Sequence, residues 1–244
     1  MKMPVILVHG FGEDRRVWDQ QVKHLEKNYK LIVPDLPGSG NEKLADVSME
    51  SMANYLKNIL DEQSISSCIM IGHSMGGYVT LAFAEKYPEL LSGFGLFHSS
   101  AYADSEEKKE TRKKAIEFIR KNGTREFLKT SVPNLIAKNT RNREELIRKL
   151  IDEYAYFEPD ALIAYYEAMI ARPNRTTVLK EFTKPILMVL GVYDTAVPYE
   201  QGKEQVKLLQ NPVVHTLKNS AHMGMLEEPA ESNAILADYI NIVI

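Results

Sequence analysis

Residues Ile69-Met70-Ile71-Gly72-His73-Ser74-Met75-Gly76-Gly77-Tyr78 run as an apolar strand into a Gly-x-Ser-x-Gly turn, and the stretch from Val79 to Tyr87 continues as a helix. A strand that turns sharply into a helix around a serine lifts the hydroxyl clear of the backbone. It also leaves the amides that follow facing any negative charge that develops there. Ser74 is therefore the candidate nucleophile. Gly72 and Gly76 keep side chains out of a turn too tight to hold them. Glycine-flanked serines occur by chance in many loops, so the strand before and the helix after carry this reading.

On either side of this turn, short β-rich runs alternate with helical segments, the pattern of an α/β fold with a mostly parallel sheet and crossover helices on both faces. Val5 to Val8 reads as the first strand. A helix with apolar positions Val17, Trp18, Val22 and Leu25 follows, then the strand Leu31-Ile32-Val33 and a turn-rich loop, Asp35-Leu36-Pro37-Gly38-Ser39-Gly40. Ser48 is placed to cap a helix whose apolar positions Met52, Tyr55, Leu56, Ile59 and Leu60 share one face. That helix leads to the strand from Cys68 to Ile71, the serine turn, and a strand from Phe94 to Phe97. From about Tyr102 to Glu181 the rhythm breaks into helical, charge-rich patterns interrupted at Pro133, Pro159 and Pro173. The expected organisation is a core of residues 1–101 and 182–244 with a helical cap over 102–181. The mixed charges from Asp104 to Lys114 are expected to form a solvated helix face. The α/β rhythm resumes with strands at Ile186 to Leu190 and Val213 to Leu217, and closes on a helix from Pro229 to Ile240.

The chain has 244 residues, 44% of them hydrophobic, enough for one sizeable core with an insertion. A net charge of -3 gives no electrostatic reason to expect nucleic acid or an anionic membrane as partner, and favours small neutral or mildly polar molecules. Cys68, the single cysteine, forms no internal disulfide and sits in an apolar strand as a core residue. The N-terminal apolar run is too short for a signal sequence and no later stretch is long enough to span a bilayer, so the expected location is cytoplasmic.

A serine hydroxyl needs a base within hydrogen-bond reach and a group that holds that base in the right tautomer. Asp194, in Gly191-Val192-Tyr193-Asp194-Thr195-Ala196-Val197-Pro198, and His222, in Asn219-Ser220-Ala221-His222-Met223-Gly224, each follow a strand at its C-terminal end, where open α/β sheets place ligands. His24 and His215 fall inside elements, and His73 precedes the serine. His98 ends a strand and is expected, with Tyr102, to line the substrate pocket.

With the serine turn, the Gly-x-x-Asp-x-x-x-Pro acid loop, the histidine loop and His9-Gly10-Phe11-Gly12 all in register with the strands, the chain resembles the α/β-hydrolase superfamily over essentially its whole length, within it the esterase and enol-lactonase branches. The resemblance implies a triad of Ser74, His222 and Asp194. It also implies an oxyanion hole formed by the amides of Phe11 and Met75, with His9 organising that loop and the Asp35 turn structural. The implied activity is hydrolysis of a small carboxylic ester or lactone through an acyl-enzyme, with no metal or organic cofactor, by a monomer or homodimer. A carbon–carbon hydrolase or lyase on the same sheet, or a ligand receptor with slow turnover, are the alternatives, and cap residues decide among them. The His9-Gly10 loop follows the third strand of the family, yet only eight residues precede it here. The expected sheet therefore has about six strands, with Val5 to Val8 interior and the Leu31 to Val33 strand as an edge.

Overall fold

The computed structural model describes residues 3–244. Among them lies one six-stranded parallel sheet. In chain order its strands are β1 (Pro4–Val8), β2 (Lys30–Ile32), β3 (Cys68–His73), β4 (Leu91–Phe97), β5 (Ile186–Gly191) and β6 (Pro212–Leu217), and across the sheet they run β2-β1-β3-β4-β5-β6. Every residue of β1, β3 and β5 is buried, as near-continuous apolar runs must be when helices cover both faces. β1 is interior, with Val5 opposite Leu31 on one side and Ile69 on the other. The two edges, β2 and β6, are partly exposed. β2 stops at Ile32, because Pro34 has no N–H with which to extend the ladder. The expectation of a six-stranded sheet with this edge holds.

The helices are α1 (Asp19–Leu25), α2 (Met49–Glu62), α3 (Met75–Lys86), α4 (Glu106–Ser131), α5 (Arg143–Tyr154), α6 (Pro159–Ala171), α7 (Thr176–Glu181), α8 (Tyr199–Val206), α9 (Gly224–Glu227) and α10 (Pro229–Val243). α2 packs on α3, and α1 on α10. Ser48 caps α2 as expected: its Oγ accepts the Ser51 N–H at 3.0 Å while Ser51 Oγ accepts the Ser48 N–H at 2.8 Å. No helix among the described residues is long and apolar enough to cross a membrane.

Between β4 and β5 the chain forms α4 to α7. α4 breaks at Gly123, whose φ of 78° and ψ of 173° lie outside helical space, and Thr124 Oγ1 fastens the restart by donating to the Phe157 carbonyl at 2.7 Å. The charge run before it differs from the expectation of a wholly solvated face. Lys109 with Glu106 and Lys113 with Glu110 are indeed surface pairs. Asp104, Lys108 and Arg112, however, recur every four residues and turn inward: Asp104 is buried, and the other two line a cavity.

Candidate active site

Strand C-termini converge at the point where the sheet order reverses, with β2 on one side of β1 and the remaining strands on the other. Ser74 sits between β3 and α3 with φ 49° and ψ −115°, a conformation that side-chain-bearing residues seldom adopt. It is held there by its own N–H, which donates to the Phe97 carbonyl at 3.0 Å, and by its carbonyl, which accepts from Gly77 at 3.0 Å. A Cβ on Gly76 would lie 2.5 Å from the carbonyl oxygens of Val8 and His9, so only glycine lets α3 start this close to β1.

Asp194 and His222 come from the loops after β5 and β6. His222 Nε2 lies 2.8 Å from Ser74 Oγ, and His222 Nδ1 lies 2.8 Å from Asp194 Oδ2. A carboxylate only accepts, so the His222 proton is on Nδ1 and Nε2 faces the serine hydroxyl as an acceptor. Asp194 Oδ1 accepts the N–H groups of Ala196 and Val197 at 2.8 and 2.9 Å. Burial alone would raise the Asp194 pKa, but the charge and hydrogen bond of His222 outweigh it and hold the carboxyl below its ordinary range.

The backbone N–H groups of Phe11 and Met75 have no acceptor among the described residues. His9 orders the loop that carries Phe11. Its Nε2 accepts the Leu36 N–H at 2.9 Å, so Nδ1 bears the proton and donates to the Gly10 carbonyl at 2.8 Å. Burial lowers the His9 pKa and keeps the ring neutral.

Behind His222 lies a second buried pair that the sequence reading did not single out. His73 Nδ1 is 2.9 Å from Glu13 Oε2, and His73 Nε2 is 2.9 Å from the His222 carbonyl oxygen. Both ring nitrogens thus face acceptors, and bonding both takes an imidazolium. Burial opposes charge on each partner, yet their mutual attraction prevails: Glu13 is held below its ordinary pKa and His73 above. The signal for Glu13 was its place three residues beyond Gly10, whose N–H it accepts at 2.8 Å.

A cavity of about 170 Å³ opens over Ser74 and His222. The core contributes Phe11 and Glu13 to it, and the helical segment contributes Phe127, Leu150, Tyr154 and Tyr166 among others. His98 and Tyr102 do not line it, contrary to expectation. His98 is buried behind the acid, with Nδ1 3.5 Å from Asp194 Oδ2 and neither ring nitrogen hydrogen-bonded among the described residues. Burial pushes its pKa down to about 3. At Tyr102 the chain turns aside into a polar cluster, where the Tyr102 carbonyl accepts from Arg172 at 3.1 Å. Of the aromatic residues Tyr154, Tyr156, Phe157, Tyr165 and Tyr166 in the helical segment, Tyr154 and Tyr166 reach the cavity. Tyr156 donates to Asp14 at 2.8 Å and Tyr165 to the Pro37 carbonyl at 2.9 Å, so both bind the helical segment to the core.

A strand-borne serine turn with an acid and a histidine loop in this order defines a class, and comparison with known proteins agrees. The sequence model of a family described as alpha/beta hydrolase fold matches residues 3–116. A thermophilic esterase from Thermogutta terrifontis, solved with malate bound, superposes with a TM-score of 0.94 at 30% identity, covering 99% of this chain and 90% of that one. An uncharacterized hydrolase of Bacillus subtilis, YugF, is 26% identical over 98% of this chain and 90% of its own length. A 2-hydroxy-6-oxononadienedioate/2-hydroxy-6-oxononatrienedioate hydrolase of Paraburkholderia phymatum is 25% identical over 98% and 87% respectively. The chain belongs to the α/β-hydrolase superfamily and is an enzyme of that class.

Proposed function

We propose that this enzyme is a serine hydrolase that cleaves a small carboxylic ester or lactone through an acyl-enzyme. The observation that carries the reading is the unbroken relay from Asp194 through His222 to Ser74, two contacts of 2.8 Å each, ending at the floor of a cavity. As His222 Nε2 takes the hydroxyl proton, Ser74 Oγ bonds to the substrate carbonyl carbon and the carbonyl oxygen becomes an oxyanion. The free amides of Phe11 and Met75 stabilise that charge, each donor contributing about 3 kcal/mol. His222 returns the proton to the departing alkoxide, which leaves the acyl group on Ser74. Water, deprotonated by the same nitrogen, then attacks the acyl carbon, and the acid is released as Ser74 Oγ takes that proton back from His222. Asp194 stabilises the imidazolium in both halves.

In this reading residues 102–181 act as a cap that sizes the acyl or leaving group, because Phe127, Leu150 and Tyr166 face Ser74 across the cavity. The test is labelling by a fluorophosphonate probe together with turnover of a panel of simple esters and lactones. Ser74→Ala is expected to abolish both while leaving the thermal unfolding profile intact, since Oγ is the only atom lost. Labelling of the variant at another serine would overturn the assignment.

A further inference from the structure

The inward stripe of the charge run bears on what the cavity takes. Asp104 is buried and shared by two arginines: Arg112 Nε donates to Oδ2 at 2.6 Å and Arg172 Nη2 to Oδ1 at 2.9 Å. Both guanidiniums are fixed further by aromatic faces, Arg112 over Tyr166 at 5.5 Å and Arg172 over Tyr78 at 3.9 Å. Lys108, one turn before Arg112, spends one of its three ammonium protons on the Ala196 carbonyl at 2.8 Å. Among the described residues no carboxylate lies within ion-pair distance of it. Two cations therefore share one carboxylate beside this wall, and a third, Lys108, has none within ion-pair distance among the described residues. Among the described residues Glu13 is the one carboxylate that lines the cavity, and it is committed to His73. Burying a charge without its counter-ion is costly, and the cost is relieved when a ligand supplies the missing partner. Overall the chain is negative, so this local excess is not a reflection of composition.

We infer that the substrate of this site carries a carboxylate, which docks against Lys108 and Arg112 while the scissile carbonyl reaches Ser74. The inference rests on the serine-hydrolase reading and narrows the substrate to acidic esters or lactones. Two matched pairs test it: monomethyl glutarate against methyl pentanoate for a carboxylate on the acyl side, and 4-acetoxybenzoate against its methyl ester for one on the leaving group. In at least one pair kcat/KM is expected to favour the acid by about tenfold or more, the scale of one charge-assisted contact. That preference is expected to shrink as salt rises from about 0.05 to 0.5 M. Lys108→Met, which keeps the aliphatic stem, should bring the preference close to unity, and Lys108→Arg should retain it. Preference for the neutral ester in both pairs, or an unchanged preference in Lys108→Met, would overturn the inference while leaving the hydrolase reading intact. Failure of wild-type protein to turn over any of the four esters, together with no fluorophosphonate labelling of Ser74, would sink both.

Discussion

Asp194 is committed on both oxygens, and that makes its replacement informative. In Asp194→Asn the N–H groups of Ala196 and Val197 still require an acceptor, so the amide carbonyl takes the Oδ1 place and the NH2 group faces His222 Nδ1. The imidazole must then accept at Nδ1 and carry its proton on Nε2, pointing at Ser74, where a base is needed. kcat for ester hydrolysis is expected to fall by about four orders of magnitude with little change in thermal stability. Near wild-type turnover would remove Asp194 from the proposed mechanism. Much of the proposed site is legible in the sequence at this scale. Ser74, Asp194 and His222 lie in three motifs 120 and 28 residues apart, yet each motif sits at a strand end, and the strands themselves show as apolar runs. His98 was misplaced. A histidine at a strand end in this sheet has two directions open to it, into the cleft or down behind the acid, and a φ of 49° there, invisible in the sequence, accompanies the second.

At the scale of elements, the helical segment between β4 and β5 held the most that was illegible. Alternating charges at three- and four-residue spacing suit a solvated helix, and they suit equally a helix with one stripe turned inward. Only the partners Arg172 and Tyr166, sixty and fifty-four residues beyond Arg112, separate the two. The break in α4 was written plainly, as Asn122-Gly123, but inside a run whose pattern continues on both sides. Nothing lies within 4 Å of a Cβ built on Gly123, so Gly123→Ala meets no crowding and tests conformational strain alone. Its φ and ψ fall in a region open essentially to glycine, and the variant is expected to lose about 1–3 kcal/mol, read as a lower urea midpoint at unchanged slope. An unchanged midpoint would mean that α4 straightens at no cost. Leu150, on α5, is buried at the cavity wall. Leu150→Ala should shift the preferred acyl chain toward greater length in a straight-chain ester series, and an unchanged preference would leave the proposed cap as a mere cover.

At the scale of the whole molecule, the Glu13–His73 pair makes stability depend on pH in a defined way. Glu13, lowered from 4.5, contributes stability that is present above that value and lost as pH falls through its folded pKa. His73, raised from 6.5, contributes stability that is full below that value and lost as pH rises through its folded pKa. The pair is therefore worth most between pH 4.5 and 6.5. His98 acts oppositely over part of this range: its pKa of about 3 means that stability is lost as pH falls from 6.5. The deficit of Glu13→Gln relative to wild type, from urea midpoints measured across pH 4 to 9, is expected to peak in the window set by the pair and narrow on both sides. A deficit independent of pH would show that the pair is not ionised. The global topology also has a consequence for biosynthesis. β1 is made before the other described strands, yet it occupies an interior place whose second neighbour, β3, ends 65 residues later at His73. It must wait, apolar and half-paired, for most of a ribosome tunnel's worth of further synthesis. The relay itself closes only once His222 has been made, 148 residues after Ser74. A nascent chain stalled between the two therefore carries the proposed nucleophile without its proposed base, and competence waits on the last of the three motifs to be made.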